Sequence, residues 1–464
     1  MRREEPLHRR LDVLVLGVVV GCAAGFASVT FVAAAAQRAG PEQRAVFDAT
    51  HLPPLLTRPD ERAELEYDVH CAAGDDEGAE AGCDVRGAVF IRRAGRGSFE
   101  RLALSVPESD SSGRQLAARV PDSLSAQPGG FEYYAELEAP DLGERITIPA
   151  GGAVAPHASR PLVNPIDIAL GRHSFGDARR GNVRLALAAW GDGPAQVGLE
   201  QGRQLGAIGP SAFDVDAAGT VFVLDQVHRR LLRWRNGARD PIRVPLSIAG
   251  TIADLAVGND GSTYVLESTA SPGRNALVRR FDDAGRELEA IETAERTSSQ
   301  IRMARDGALV LGHPSHHWMP ITVDGVPASR DAQLRHGRGG RSLRSGGEIV
   351  LFRHANELRV AMISGRTMTR SWRLTSTTPL AEVQLAEPMG HRLVLVVRMY
   401  DDVVDEFAVL ILDRKGLVDR FTLDAADWAE AAPLSRFRLV GKHLYRLGST
   451  PAGAFVDRFD LEVR

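Results

Sequence analysis

The chain has almost no excess charge and only one long uncharged segment, and each shortage excludes a class of protein. Its 464 residues include 60 Asp and Glu against 56 Lys and Arg, which leaves a formal net charge of -4. Such a balance is unsuited to coating polyphosphate, so we exclude nucleic acid as a partner. A single membrane-length segment likewise excludes a polytopic membrane protein.

Two common catalytic signatures are also absent. The chain has no Gly-x-Ser-x-Gly elbow, so a serine hydrolase of that class has no support. It has no phosphate-binding Gly-Lys-Ser or Gly-Lys-Thr loop, so nucleotide hydrolysis lacks its cradle. No reaction is predicted from a short motif.

The composition favours a β-rich protein of more than one domain. Apolar residues make up 44% of the chain, and 46 Gly and 25 Pro interrupt it often enough to predict many short strands. The length exceeds what one hydrophobic core usually fills. We therefore predict an all-β chain, with a six-bladed β-propeller preceded by a small β-sandwich and an N-terminal transmembrane helix.

The N-terminus predicts a membrane location. Residues 13–36 form twenty-four consecutive uncharged positions, which suffice for a membrane-spanning helix. Arginines precede this stretch, so a basic N-terminus (1–10) should stay in the cytoplasm, with a transmembrane helix or signal peptide over 11–36. The protein is then single-pass with its bulk extracytoplasmic. Two alternatives stay open: cleavage within Ala33–Ala36, and lipidation of Cys22, whose Val-Val-Gly-Cys context resembles a bacterial lipobox.

The next segments predict a spacer over 37–62 and a β-sandwich over 63–160. The sandwich is predicted from six alternating segments. One of them, Phe131–Leu137, leads through Gly143 to Thr147-Ile148-Pro149, and this resembles a segment of immunoglobulin-like or fibronectin-like modules. The predicted strands are 64–70, 86–92, 101–106, 115–120, 131–137 and 145–148.

Cys71 and Cys83 flank a loop rich in glycine and acidic residues. In an oxidising compartment, cysteines at this spacing can close a hairpin, which would stabilise the fold by roughly 3 kcal/mol. We therefore predict a Cys71–Cys83 disulfide. The acidic residues lack the spacing of a calcium-binding EF-hand loop, and a solvated loop tip explains them equally well.

Beyond Pro165 the chain repeats a strand, a glycine turn and a second strand. The turn glycines stand at 219, 261, 307, 347, 390 and 441, with spacings of 42, 46, 40, 43 and 51 residues. That period is the length of a four-stranded propeller blade. Six copies predict a six-bladed propeller over 165–464. Either Val183–Ala189 or Gln196–Leu199 could supply the strand that closes the ring against the C-terminal blade.

The first repeat resembles the signature of NHL-repeat propellers. Asp225, Arg230, Leu231 and Trp234 fall on the matching positions, although His228 stands where that family commonly has Asn. In the second repeat Glu267 replaces the Asp. The resemblance implies a propeller of a kind that includes binding platforms and metal-dependent lyases, with calcium-dependent lactonases in neighbouring families. Ile208-Gly209-Pro210 lacks the Glu that the lactonases carry before Gly-Pro.

The densest histidine cluster provides the candidate metal ligands. His313, His316 and His317 follow a predicted strand of the third repeat, and imidazoles suit a divalent metal such as zinc, although an ordinary loop is the simpler explanation. Because convergent catalytic groups are not evident, we predict a non-enzymatic binding or scaffolding protein, with a protein, glycan or small-molecule ligand on the propeller. The alternative is a metal-dependent propeller hydrolase or lyase. Four isolated histidines of other repeats are weaker candidates for metal ligands: His228, His354, His391 and His443.

Overall fold

The computed structural model describes most of the chain beyond residue 45, and the predicted membrane segment lies outside that part. Within the described residues no helix is both long and apolar enough to cross a membrane. The described ranges are 46–72, 84–107, 115–125, 127–201, 206–268, 275–294, 300–304, 307–312, 318–335, 341–342, 347–365, 367–425, 427–429 and 435–461.

Residues 46–161 fold into two sheets. The smaller sheet has the order β1-β3-β6, and the larger has the order β2-β9-β7-β4-β5 with β8 paired to β7. The elements are β1 (Val46–Thr50), β2 (Leu56–Thr57), β3 (Glu64–Ala72), β4 (Arg86–Arg93), β5 (Glu100–Ala103), β6 (Gln115–Arg119), helix α1 (Asp122–Ser125), β7 (Phe131–Ala139), β8 (Glu144–Ile148), a 3-10 helix (Gly152–Val154) and β9 (His157–Pro161).

These two sheets enclose one apolar core. Alternate residues of β7 are buried along its whole length, as the alternating sequence of that strand predicts. Tyr67, Val89 and Tyr133 lie in the same core with no exposed surface. All six predicted strands are present with small shifts at their ends. Membership of the immunoglobulin or fibronectin class stays a prediction.

The predicted spacer over 37–62 is wrong for its second half. Strand β1 pairs with β3, and β2 pairs with β9, so the described chain from Val46 onward belongs to the sheets. Leu55 and Leu56 are fully buried there. Prolines around these strands obscured the pattern because each run between them is only a few residues long.

In the described part of the chain, six further sheets of three or more strands follow, and each provides one blade. Before them come β10 (Ile166–Gly171) and β11 (Val183–Ala189). Blade 1 is β12 (Ala212–Val215), β13 (Val221–Asp225), β14 (Arg230–Trp234) and β15 (Ile242–Pro245); blade 2 is β16 (Thr251–Val257), β17 (Thr263–Ser268), β18 (Leu277–Phe281) and β19 (Glu287–Glu292); blade 3 is β20 (Gln300–Met303), β21 (Leu309–Gly312) and β22 (Trp318–Pro320).

A hairpin and a short helix separate blade 3 from blade 4: β23 (Thr322–Val323), β24 (Val326–Pro327) and α2 (Arg330–Arg335). Blade 4 is β25 (Arg341–Ser342), β26 (Gly347–His354), β27 (Glu357–Ser364) and β28 (Thr367–Ser376), with β10 added in parallel to β28. Blade 5 is β29 (Leu380–Met389), β30 (Arg392–Tyr400), β31 (Asp405–Asp413) and β32 (Gly416–Asp424); blade 6 is β33 (Phe437–Val440), β34 (His443–Thr450) and β35 (Gly453–Asp460).

The innermost strands contact one another in order from blade 5 through blades 6, 1 and 2 to blade 3, which is the arrangement of a β-propeller. Strand β12 contacts β16 and β33, β16 contacts β20, and β29 contacts β33. The predicted closing strand is confirmed, because β11 pairs antiparallel with β35 and completes blade 6. Closure removes an exposed sheet edge and joins the start of the propeller to its end.

Blade packing explains the sequence of the repeats. Both faces of a blade are covered by its neighbours, so β13 reads as a continuous apolar run and is buried along its length. The turn glycines 219, 261, 307, 390 and 441 have φ between 62° and 86°, a conformation that favours glycine. Gly347 differs from the prediction because it begins β26.

The N-terminal sheets pack directly against blade 4. Leu55, Leu56 and Leu162 share a buried cluster with residues of β26 and β27. The Arg359 side chain, 2% exposed, donates to Leu56 O at 2.8 Å and pairs with Glu61 at 2.5 Å. Each buried leucine contributes roughly 1.5–3 kcal/mol. The Arg359 contacts and the apolar cluster around them therefore attach residues 46–161 to the propeller.

Candidate functional site

The centre of the propeller contains a network of two aspartates and two arginines. Asp214 comes from β12, Asp254 from β16, Arg302 from β20 and Arg438 from β33, so blades 1, 2, 3 and 6 each contribute one residue. We call these four residues the central ion network. It lies on inner strands, where propeller enzymes would place metal ligands.

Asp254 is the hub of the central ion network and has no exposed surface. Its Oδ2 accepts from Arg302 Nη1 at 2.7 Å and from the Ile301 amide at 2.9 Å. Its Oδ1 accepts from Arg438 Nη2 at 3.0 Å. Both carboxylate oxygens are therefore occupied, and a cation would have to displace a guanidinium group to reach them.

Asp214 is attached to the network more loosely. Its Oδ1 lies 3.4 Å from Arg438 Nε, and its Oδ2 accepts from the Val257 amide at 2.9 Å. Burial raises the pKa of Asp214, an effect that the positive charge of Arg438 opposes. The two carboxylates and the two guanidinium groups of the network balance in charge, so the network offers no open anionic site for a cation. Its ion pairs join strands of different blades.

The residues that match the NHL signature have a structural role. The buried Asp225 carboxylate accepts from Arg230 Nε at 2.8 Å and from the Gly198 amide at 3.2 Å. Blade 2 repeats the device, since Glu267 pairs with Arg279 and accepts from the Gly250 amide. In both blades an acidic residue at the end of a strand fixes the loop that enters that blade.

One face of the propeller carries the loops that lead from each outer strand to the next blade. We call it the loop face; it carries the loops after β11, β15 and β32, and the turns within blades after β13, β30 and β34. On this face Trp190, directly after β11, meets Trp428, between β32 and β33, with ring centroids 5.6 Å apart and planes inclined by 38°. Both side chains are partly exposed.

Asp427 holds the loop beside Trp428 in place. Its carboxylate pairs with Arg436 and Arg446 and accepts from the Ser449 amide at 3.0 Å. Burial raises the pKa of Asp427, against the lowering effect of the two arginines. Burial also lowers the pKa of Arg446. The ion pairs tie Asp427 to Arg436, just before β33, and to Arg446 of β34.

The structure leaves the predicted metal ligands untested. His313, His316 and His317 lie outside the described residues. Within the described part, no group of three or more His, Cys, Asp or Glu side chains is placed to hold a metal ion. The isolated histidines do not converge on one site. His228 and His354 lie at the loop face, whereas His391 and His443 lie in or beside turns on the opposite face of the propeller.

His228 instead bridges two carboxylates on the loop face. Its Nδ1 lies 2.9 Å from Asp225 Oδ2, and its Nε2 lies 2.8 Å from Asp192 Oδ1. The Asp192 side chain is 97% exposed. The position where the NHL family commonly has Asn therefore links the buried signature acid to the surface.

His173 pairs with a carboxylate, as catalytic histidines often do, but it is buried. His173 Nε2 lies 2.9 Å from Glu406 Oε2, and its Nδ1 lies 2.8 Å from Arg420 Nη2. His173 is 3% exposed, and both ring nitrogens are occupied. The cluster fixes the segment before β11 to blade 5 and has no free group for proton transfer.

The predicted disulfide also stays a prediction. Cys71 lies near the end of β3 and is partly exposed, whereas Cys83 lies outside the described residues. Strand β4 begins at Arg86, so the two cysteines flank a connection between strands of different sheets rather than a simple hairpin.

Comparisons with known proteins support no family assignment. No protein-family model and no curated protein matches the chain. Solved structures with some likeness include virginiamycin B lyase from Staphylococcus aureus (10% identity, 54% of this chain, 94% of that chain, TM-score 0.32). Others are the PQQ-bound aldose sugar dehydrogenase from Streptomyces coelicolor (10%, 61%, 97%, 0.36) and a putative gluconolactonase (12%, 63%, 96%, 0.28).

These neighbours are propeller-type proteins, and at such scores their activities say nothing about this chain. The propeller assignment rests on the strand pairing. The sequence interpretation missed the central ion network, although a signal was present: Asp214 and Arg302 both stand five residues before a turn glycine, in strands that are otherwise largely apolar. The Trp190–Trp428 contact had no sequence signal because the two residues are far apart in the chain.

Proposed function

We propose that the protein is a membrane-anchored, extracytoplasmic binding or scaffolding protein that acts through the loop face of its propeller. The observation that carries this proposal is the central ion network, in which both Asp254 oxygens are committed to arginines. A propeller that used its centre for metal chemistry would need open carboxylate or imidazole ligands there. We also propose that the repeats are of the NHL type.

The loop face supports a binding role in a second way. Ion pairs with buried partners hold its loops beside Trp428 and His228, and aromatic side chains stay partly exposed between them. Binding surfaces favour rigid aromatic side chains because little conformational entropy is lost when they meet a partner. A scaffold with fixed loops on one face is suited to recognition.

Elemental analysis separates this proposal from the metal-dependent alternative. The full chain in detergent would be dialysed against metal-free buffer and its zinc and calcium measured. We expect no stoichiometric metal. A stoichiometric metal that is lost when His313, His316 and His317 are changed to Ala would overturn the proposal and favour the hydrolase or lyase.

Site-specific photo-crosslinking tests which face is used. A crosslinking amino acid would replace Asp192 or Val403 on the loop face. The Asp192 side chain is 97% exposed, and Val403 is 89% exposed. The matched control is Lys442, in the exposed turn between β33 and β34 on the opposite face. On intact cells we expect adducts from 192 or 403 only; adducts from 442 alone would contradict the proposal.

The membrane location is tested by fractionation. We expect the full chain to pellet with membranes and to resist alkaline carbonate extraction. A chain that begins at Gln37 should be released. Recovery of the full chain in the soluble cytoplasmic fraction would contradict the proposed anchor.

A further inference from the structure

Trp190 and Trp428 form a partly exposed pair of aromatic rings at the loop-face end of blade 6. The chain has five tryptophans, and Trp234 and Trp372 are buried at 2% and 0% exposure. Trp190 and Trp428 are instead partly exposed and in contact with each other. Two large apolar rings kept together at a surface mark a contact site.

The Trp190 ring is held in a fixed orientation. Its Nε1–H donates to Thr450 O at 2.9 Å, which ties it to the turn between β34 and β35. A Cβ atom added to Gly209 would lie 3.1 Å from Trp190 Cη2, so the bare backbone of Gly209 packs against the ring. The ring therefore needs no reorganisation before it meets a ligand.

Trp428 is held from both sides along the chain. Asp427 before it makes the ion pairs with Arg436 and Arg446. The amide of Ala429 after it donates to Ser449 Oγ at 2.8 Å, and the same hydroxyl donates to Ala429 O at 3.2 Å. Pre-organisation of this kind increases affinity because the entropy cost of ordering is met during folding.

The spacing of the rings limits what can bind. Centroids 5.6 Å apart leave no space between the indoles, so a quaternary ammonium group cannot be enclosed as in an aromatic cage. A ligand with a flat apolar face can instead pack on the exposed part of the ring pair. The Trp190 N–H is already bonded to Thr450 O, so it is not available to a peptide carbonyl.

One carboxylate lies close to Trp190 along the chain. Asp192 follows Trp190 by two residues, is 97% exposed, and is oriented by His228 Nε2 at 2.8 Å. A pyranose ring has an apolar face of C–H groups and a rim of hydroxyl groups. An indole surface matches the face, and a carboxylate accepts hydrogen bonds from the rim.

We propose that Trp190 and Trp428 are a stacking platform for pyranose rings of a polysaccharide, with Asp192 as a hydrogen-bond acceptor for its hydroxyl groups. This inference rests on the proposed binding role of the loop face and names its ligand class. The bound sugar stays chemically unchanged.

The test uses the full chain in detergent with defined saccharides. Cellohexaose and chitohexaose would be titrated by calorimetry and indole fluorescence, and purified peptidoglycan by co-sedimentation. We expect saturable binding of at least one of these, with Trp428→Ala weakening it about tenfold or more. Trp428→Tyr should retain part of the affinity because it retains a ring.

The matched control is Tyr400→Ala. Tyr400 is 37% exposed and ends β30 at a different loop of the same face. Its removal should leave saccharide binding unchanged. Circular dichroism of each variant checks that the fold is intact, and Trp428→Tyr serves if Trp428→Ala does not fold.

Three results would overturn the inference: no saccharide binds, Trp428→Tyr and Trp428→Ala both bind as the unchanged chain does, or decaproline or tetramethylammonium binds in a Trp428-dependent manner while the saccharides do not. The proposed function is judged separately. If crosslinks from position 403 persist in the Trp428→Ala background, the loop face binds a partner and only the sugar platform is rejected.

Discussion

Arg438 on the innermost strand of blade 6 donates to Asp254 on the innermost strand of blade 2, with 3.0 Å between Nη2 and Oδ1. The same Nη2 lies 3.2 Å from Leu255 O. Blade 1 lies between these two blades in the ring, so this contact reaches across the centre of the propeller. It shows that the centre is filled by an ion pair that joins blades distant in sequence.

Asp254→Asn should destabilise the propeller strongly. The change removes the charge that balances two guanidinium groups, those of Arg302 and Arg438, which are 8% and 5% exposed. An uncompensated buried charge costs about 3 to 5 kcal/mol. Urea unfolding followed by tryptophan fluorescence should show a lower midpoint with an unchanged slope.

Asp214→Asn is the matched control for that prediction. The new amide oxygen can still accept from the Val257 N–H, and Arg438 keeps its partner Asp254. Burial already raises the pKa of Asp214, so its charge is held at a cost. We expect a change within about 1 kcal/mol. Equal losses in both variants would refute the idea that Asp254 is the hub.

Closure of the ring by β11 predicts a strong effect at Gly453. A Cβ atom at this position would lie 2.0 Å from Ala188 O, so Gly453→Ala must push β35 away from β11. We expect a loss of about 3 kcal/mol in the free energy of unfolding. Thermal unfolding by circular dichroism measures it.

Gly441→Ala provides the comparison. Gly441 also has a left-handed backbone, with φ of 63°, but no atom lies within 4 Å of an added Cβ. The cost there should be only the conformational strain, about 1 kcal/mol. A larger loss at Gly441 than at Gly453 would mean that ring closure contributes little.

The repeats could be predicted from sequence because each blade is a local unit with a glycine turn and apolar strands. Five of the six turn glycines have a left-handed backbone, and Val183–Ala189 closes the ring as its position suggested. Strand β1 was not predicted. It is five residues long, and its pairing with β3 is not visible in the local sequence pattern. Short strands near prolines have no period long enough to recognise.

The candidate site was harder to predict than the fold. Asp225 and Arg230 were identified from a signature, and their buried ion pair has a structural role. The residues of the central ion network come from four blades, and Trp428 lies beside Trp190 only because β11 completes blade 6. Such proximity depends on the closed ring, which local patterns do not encode.

Arg359→Ala should loosen the contact between the N-terminal sheets and blade 4. The change leaves Glu61 without the guanidinium that it pairs with at 2.5 Å, and it removes the bond to Leu56 O. We expect a loss of about 3 kcal/mol and faster proteolytic cleavage near residue 163. Arg398→Ala is the control, because Arg398 is 44% exposed and pairs with Asp405 within blade 5. Equal cleavage rates in both variants would contradict this role for Arg359.

The buried His51 makes the N-terminal sheets sensitive to acid. Its Nδ1 lies 2.6 Å from Glu66 O and its Nε2 lies 2.8 Å from Tyr133 OH, while its ring stacks on Tyr67 at 4.3 Å. Burial lowers the pKa of His51 to about 4, against 6.5 for the unfolded chain, and the bond to Glu66 O only partly opposes this. Between these two values the unfolded chain binds more protons than the folded chain.

Stability from His51 is therefore complete above pH 6.5 and is lost as the pH falls towards 4, by about 3 kcal/mol in total. Urea unfolding followed by far-ultraviolet circular dichroism at pH 7.5, 6, 5 and 4.5 measures the loss. His51→Asn keeps an N–H donor for Glu66 O but does not titrate, so the variant should be less stable at pH 7.5 and depend less on pH. The same pH dependence in both proteins would show that the acid sensitivity has its origin elsewhere, because only the unchanged chain has an imidazole to protonate at this position.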